Sequence, residues 1–330
     1  MRLPSLIAIL LLTAPAAFAQ NAQPAPSSPP ARQPTSLSVE PGVPHTPDGH
    51  PDFQAAVWAT NHFPVWEASP MSADLVVSDV EAKAIVDKMI QMISKIPDFQ
   101  IDPEANIIIG QADGLPLVRG ERRTRLVVEP ADGKVPFTPE AKKRLKEIAA
   151  ADDGSDSYEQ RPLGERCMVL SGDPPVFAPT SYNRLRFVQT PDHVVIHNEN
   201  GDEARIIPFA DRHGAAGPVS WYGDSIARWD GDTLVVETIR QRPEDSLRGL
   251  FGKFLVTADS KVVERFTRVS ADELLYQFTV EDPKIYSAPW LAEYSFHAST
   301  SGMFPSPCHE ANYSLPNILL AARMAEQRGD

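Results

Sequence analysis

The sequence predicts a mainly β fold, an antiparallel meander closing into a barrel, with N-terminal helices and a C-terminal helix packed outside. Three observations carry that expectation. Beyond Arg166, apolar and polar residues alternate with period two, as on a half-buried strand. The strand-like runs are joined by short connections built from Asp, Gly, Ser or Pro, among them Asn200-Gly201 and Asp230-Gly231. Sequential strands joined so closely pair with their neighbours, and a sheet of roughly seven or eight of them removes its edges by closing or by folding into a sandwich.

Taken in order, the chain begins with a secretory signal peptide at residues 1–19. Arg2 is its basic start, Leu6 to Leu12 its apolar run, and Ala17-Phe18-Ala19 its small-x-small cleavage site. The expected destination is the periplasm or the medium. No cysteine follows the cleavage site to carry a lipid, and no later run approaches the ~20 apolar residues of a spanning helix. Residues 20–51 are rich in Pro, Ala and Ser and read as a disordered spacer, too poor in apolar surface to offset ordering entropy. Residues 52–157 read as a helical elaboration and 158–330 as the barrel domain with its terminal helix.

Within the elaboration, Phe53 to Trp66 is an aromatic segment expected to pack on the barrel. Ser78 and Glu81 form a capping box for a helix whose apolar residues run from Val80 to Ile96, before Pro97. Met89 and Met92 fall at helical spacing and read as core filler. Ile107–Ile109 and Leu126–Val128 are short strand-like runs, and Thr138-Pro139 opens a second helix. In the barrel domain, strands are expected at 184–189, 193–197 and 204–209, then as a hairpin over 220–239. Further strands follow at 250–257, 261–269, 274–281 and 290–296. Ser314-Leu315-Pro316 opens the last helix, a lid across one end of the barrel.

The net charge of −13 argues against a phosphate-backbone partner, since binding one needs a Lys/Arg footprint. The basic runs at Arg119–Arg125 and Lys142–Arg144 read as solvated faces. There are two cysteines, Cys167 and Cys308, and in an exported chain one disulfide is the expected use of such a pair. A catalytic thiol at Cys308, next to His309, is the competing reading.

Candidates for chemistry are few. His193 and His197 flank a Val-Val-Ile core on a strand, where four residues separate the rings by ~13 Å, too far for one ion. His309 and Glu310 offer a base and a carboxylate, on opposite faces if the segment is a strand. Glu264 and Arg265 also lie on opposite faces of one strand, so one charge faces inward; it must be paired, with Arg228 or Glu237 as candidates, or must anchor a ligand. In the hairpin, Asp230-Gly231 reads as a type I′ turn and Trp229 as a core aromatic. Asp224, beside Trp221 and Tyr222, has no evident structural task and is the preferred cavity-mouth carboxylate. No phosphate loop, nucleophile elbow, metal-ligand spacing or cofactor fingerprint is present.

Several segments resemble one large family of exported bacterial proteins. They are Gly223-Asp224-Ser225, Arg228-Trp229-Asp230-Gly231-Asp232-Thr233-Leu234-Val235-Val236-Glu237-Thr238, Val262 to Val269, Thr279 to Pro283 and Cys308-His309-Glu310-Ala311-Asn312-Tyr313. The resemblance spans about Leu126 to Arg323, with Val76 to Asp113 as an insertion, and brings no activity with it. More loosely, the meander is similar to lipocalin-like ligand-binding barrels, a likeness of fold alone. The leading expectation is an exported protein that binds a small apolar or amphipathic molecule, with Trp221, Tyr222, Trp229, Glu264 and Glu310 as ligand contacts. The alternatives are a cofactor-free acid/base enzyme using His309, Asp224 and Arg265, and a structural envelope protein.

Overall fold

In a computed structural model, the protein is described at residues 39–95, 114–176, 184–243 and 255–329, apart from Asn61, Pro64, Asp153, Ser171, Ala216 and Pro218. The signal peptide, residues 20–38 of the spacer, the 107–109 run and residues 250–254 lie outside these. The described chain is mainly antiparallel sheet with a few helices. Nine strands follow one another by hydrogen bonding in the order β8-β7-β6-β1-β13-β12-β11-β10-β9. They are β1 (Val57–Ala59), β6 (Arg184–Gln189), β7 (His193–Asn198), β8 (Glu203–Pro208), β9 (Asp224–Asp230), β10 (Thr233–Ile239), β11 (Lys261–Arg268), β12 (Glu273–Glu281) and β13 (Trp290–Ser299). A tenth, β5 (Val127–Glu129), also pairs with β13. A second, small sheet has the order β2 (Val76–Val77), β4 (Glu121–Arg123), β3 (Leu117–Val118).

The β6 to β8 meander and the β9–β10 and β11–β12 hairpins follow from the short turns between their strands, whereas β10 and β11 pair across residues 240–260. What joins β6–β8 to the β9–β13 meander does not follow from such turns. β1 comes from the aromatic 53–66 segment and lies between β6 and β13, pairing Trp58 with Leu185 on one side and with Ala298 on the other. The segment expected to pack on the sheet is thus part of it. The strand expected across 250–257 is not formed at Leu255–Thr257; Leu255 and Val256 are buried there as non-strand chain. The described strands do not form a closed barrel. Strands β8 and β9 end the path at opposite edges, and one parallel bridge, Phe209 with Ala227, joins the chain just past β8 to β9.

Alternation along the strands sorts residues onto two faces. The inner face carries the core, including Phe187, Ile196, Leu234, Phe266, Phe278 and Tyr294, all buried. Rings interlock edge to face: Phe187 lies 5.3 Å from Phe266, and Tyr276 5.2 Å from Tyr294. Burying side chains of this size contributes about 1.5–3 kcal/mol each. The 230–233 turn has positive φ at Gly231 (59°) and not at Asp232, the pattern of a type II′ turn rather than the expected I′.

Helix α1 (Asp79–Ile93) starts at the expected capping box, with Glu81 N–H donating to Ser78 Oγ and Ser78 N–H to Glu81 Oε2. It ends earlier than expected, at Ile93. Met89 packs into the small cluster around Val65, Ala82 and Leu115, while Met92 is exposed rather than core. Helix α2 (Pro139–Asp152) buries Ala141 and Ile148 against the main core. No described side chain of the one-turn α3 (Cys308–Ala311) or the terminal α4 (Ser314–Arg328) is fully buried, and no helix of the described chain is long and apolar enough to cross a membrane. The 119–125 basic run is not a solvated face. Arg123 reaches Glu121 and Glu293, and the buried Arg125 donates to the carbonyls of Ala73 and Ala131.

Candidate functional site

Glu264 is the inward charge of β11 and Arg265 the outward one. Glu264 is fully buried, and its partner is neither Arg228 nor Glu237, both of which lie on the outer register of their strands. Arg205 of β8 meets it instead, Nη1 to Oε1 at 3.1 Å and Nη2 to Oε2 at 2.6 Å. Tyr276 Oη donates to the same carboxylate at 2.8 Å, and Val176 N–H donates to Tyr276 Oη at 2.9 Å. Burial opposes the charge on Arg205, but the Glu264 carboxylate outweighs it and raises the guanidinium pKa. Burial, then the negative Glu264, pushes the Tyr276 phenol well up. Every contact here is protein to protein. The pair links edge strand β8 to interior strand β11 across the core, and exposes no reactive atom.

Asp224 sits at the start of β9 on the outer face. Gly223 places it: its φ is +70°, and a Cβ there would fall 2.6 Å from the Ile239 carbonyl oxygen. The histidine that Asp224 meets is His213, from the loop after β8. His213 Nδ1 is 3.2 Å from Asp224 Oδ2, and its Nε2 is 3.3 Å from Glu237 Oε1. Arg240 closes on the same Asp224 oxygen. The ring thus lies between two carboxylates, hydrogen-bonded to Asp224 and only close to Glu237. Arg265 binds Asp230 Oδ2 at 2.9 Å, six residues along β9 from Asp224, or ~20 Å of strand. His309 and Glu310 are exposed on α3, and no side-chain hydrogen bond or ion pair joins His309 to Asp224 or Arg265 among the described residues.

The remaining expected contacts are separate from one another. Trp221 lies under the Arg242 guanidinium, 4.7 Å from the ring centroid. Tyr222 is half-buried, and desolvation followed by Glu203 pushes its phenol up. Trp229 stacks on His50 at 4.3 Å and borders a shallow cleft of about 380 Å³. Cys167 and Cys308 form the disulfide, tying α3 to the 162–168 turns. His193 is exposed, and His197 Nε2 pairs with Asp202 at 2.7 Å.

A larger cleft, about 570 Å³, lies between the outer face of β13 and the small sheet. Ser295 and His297 enter it from β13, Leu115, Leu117 and Arg122 from the small-sheet side, and His62 from the loop after β1. His62 is buried, and its Nδ1 is 3.0 Å from the Phe63 carbonyl oxygen. A carbonyl only accepts, so Nδ1 carries the proton and Nε2 presents a lone pair. That Nε2 is buried and has no hydrogen-bond partner. Desolvation, against the Phe63 hydrogen bond and with a smaller push from His297, lowers the His62 pKa to about 4, so the ring is neutral near pH 7. His297 Nε2 is 3.3 Å from the Leu117 carbonyl oxygen. Ser295 Oγ donates to Glu273 Oε1 at 2.5 Å. Arg122 gives Nε to Asp79 and Nη1 to the Leu115 carbonyl, using two of its five donors. Sequence reasoning missed this cleft. Its histidines belong to distant segments, and neither carries a local motif. No protein-family model, curated protein or solved structure matches the chain.

Proposed function

We propose that this is an exported β protein that binds a small amphipathic molecule, and that it does so in the 570 Å³ cleft outside the large sheet rather than within it. The buried, unpartnered Nε2 of His62 carries the reading. A buried polar atom without a partner costs about 1–3 kcal/mol, and a ligand donor at that atom removes the cost. Apolar Leu115 and Leu117 beside convergent polar groups give the composition of a ligand site of ordinary size. The inner face, filled by interlocked rings, supports a structural role for the sheet, whose curl toward lipocalin-like closure is part of the same proposal. The disulfide is compatible with an oxidising compartment and with the resemblance to exported bacterial proteins. Anilinonaphthalene sulfonate should bind with enhanced fluorescence and be displaced by octanoic acid. Ser299→Trp, on the same register of β13 as Ser295 and His297 at the rim of the cleft, should abolish both effects. Undiminished binding to that variant would sink the proposal.

An acid/base enzyme is the second reading, favoured by the carboxylate–imidazole–carboxylate row Asp224–His213–Glu237. It requires an activity that disappears in both Asp224→Asn and His213→Gln while the fold is retained. An activity that survives either change excludes it.

A further inference from the structure

The cleft's donor and acceptor inventory restricts what it can hold. At His62 the protein offers an acceptor and no donor, because Nδ1–H is committed to Phe63 and Nε2 has only its lone pair. A ligand group facing His62 Nε2 must therefore bring a hydrogen of its own, from an O–H or N–H. A carboxylate there would set lone pair against lone pair. On the small-sheet side the balance reverses. Arg122 is permanently cationic and half-buried, and it retains donors beyond those used by Asp79 and Leu115. It favours an anionic acceptor and disfavours an ammonium group. Between the two poles lie Leu115 and Leu117, which contribute apolar contact only.

We infer that the cleft takes a hydroxylated amphipathic carboxylic acid, its hydroxyl donating to His62 Nε2 and its carboxylate facing Arg122. The inference rests on the cleft being the binding site. A hydroxyl supplies the missing donor without adding charge in a desolvated corner, and it can be reached through apolar chain without loss of the Arg122 contact. A free fatty acid satisfies Arg122 and leaves His62 unpaired. A diol satisfies His62 and leaves Arg122 without its anion.

Isothermal titration of the full chain with ω-hydroxyoctanoic acid, octanoic acid and octanediol separates these cases. The hydroxy acid should bind about tenfold more tightly than either of the others, the usual worth of one buried hydrogen bond or one charge-assisted contact. His62→Asn keeps an amide donor for the Phe63 carbonyl and places no acceptor where Nε2 stood, its own Oδ1 lying closer to the backbone; it should abolish the preference over octanoic acid and leave the preference over octanediol. Arg122→Gln should do the reverse. Equal binding of ω-hydroxyoctanoic and octanoic acids to the unmodified protein overturns the inference while leaving the cleft as a binding site. If none of the three binds or shifts the amide resonances of Leu115 and Leu117, the cleft reading itself fails as well.

Discussion

Acidification should destabilise this protein through His62 in particular. In the fold its imidazole titrates at about 4 instead of its ordinary 6.5, because burial penalises the charged ring more than the Phe63 hydrogen bond helps it. The unfolded chain therefore takes up a proton at this residue before the folded one does. Stability is complete above pH ~6.5 and is lost as the pH falls toward ~4, below which the His62 contribution is spent. Each pH unit of that gap is worth about 1.4 kcal/mol, so the full loss is ~3 kcal/mol. That is a large share of the 5–15 kcal/mol by which domains are usually stable. Urea unfolding of the unmodified protein and of His62→Asn, at several pH values from 7.5 to about 4, isolates the effect. Other titrating groups act on both proteins alike, so the difference between their stabilities should shrink or change sign by about 3 kcal/mol across the window. Parallel stability curves, within about 0.5 kcal/mol, would refute the argument and with it the buried neutral imidazole on which the cleft reading depends.

Other consequences are equally open to measurement. Arg205→Met strands the Glu264 carboxylate in the core and should cost roughly 3–5 kcal/mol in denaturant unfolding; adding Glu264→Gln should recover a good part of it. Gly223→Ala should cost more than about 2 kcal/mol, since its Cβ meets the Ile239 carbonyl oxygen at a positive φ, whereas Gly231→Ala, positive in φ but in open space, should cost only about 1 kcal/mol. Removing the disulfide with Cys167→Ser and Cys308→Ser opens a link of sequence separation 141, worth up to about 5 kcal/mol by loop-closure entropy. Because no described side chain of α3 or α4 is fully buried, hydrogen exchange should rise first in 308–328 and leave β9 to β13 protected; a uniform rise would contradict this.

Signals that act over a few residues were legible in the chain. The Ser78–Glu81 capping box, the Thr138-Pro139 helix start and the hairpins over Asp224–Ile239 and Lys261–Glu281 all depend on neighbours close in sequence, and all are formed. Alternation along β11 showed that one of Glu264 and Arg265 must face inward. It could not say which, because each lies among apolar side chains on its own face. The same period-two reasoning applied to Glu203–Pro208 puts Arg205 on the side of Ile207, and so offered a trace of the true partner.

Sequence alone thus indicated a mainly β fold, several of its hairpins and the starts of two helices, and made a disulfide the expected use of its two cysteines. Only tertiary structure decided that β1 joins the two meanders, that Arg205 rather than Arg228 neutralises Glu264, that Asp224 meets His213 rather than His309, and that His62 and His297 share a cleft. The physical reason is range. Capping, turn geometry and strand alternation are settled by the backbone within a few residues, whereas these contacts arise when a sheet curls and distant strands come to face one another, which no short pattern encodes.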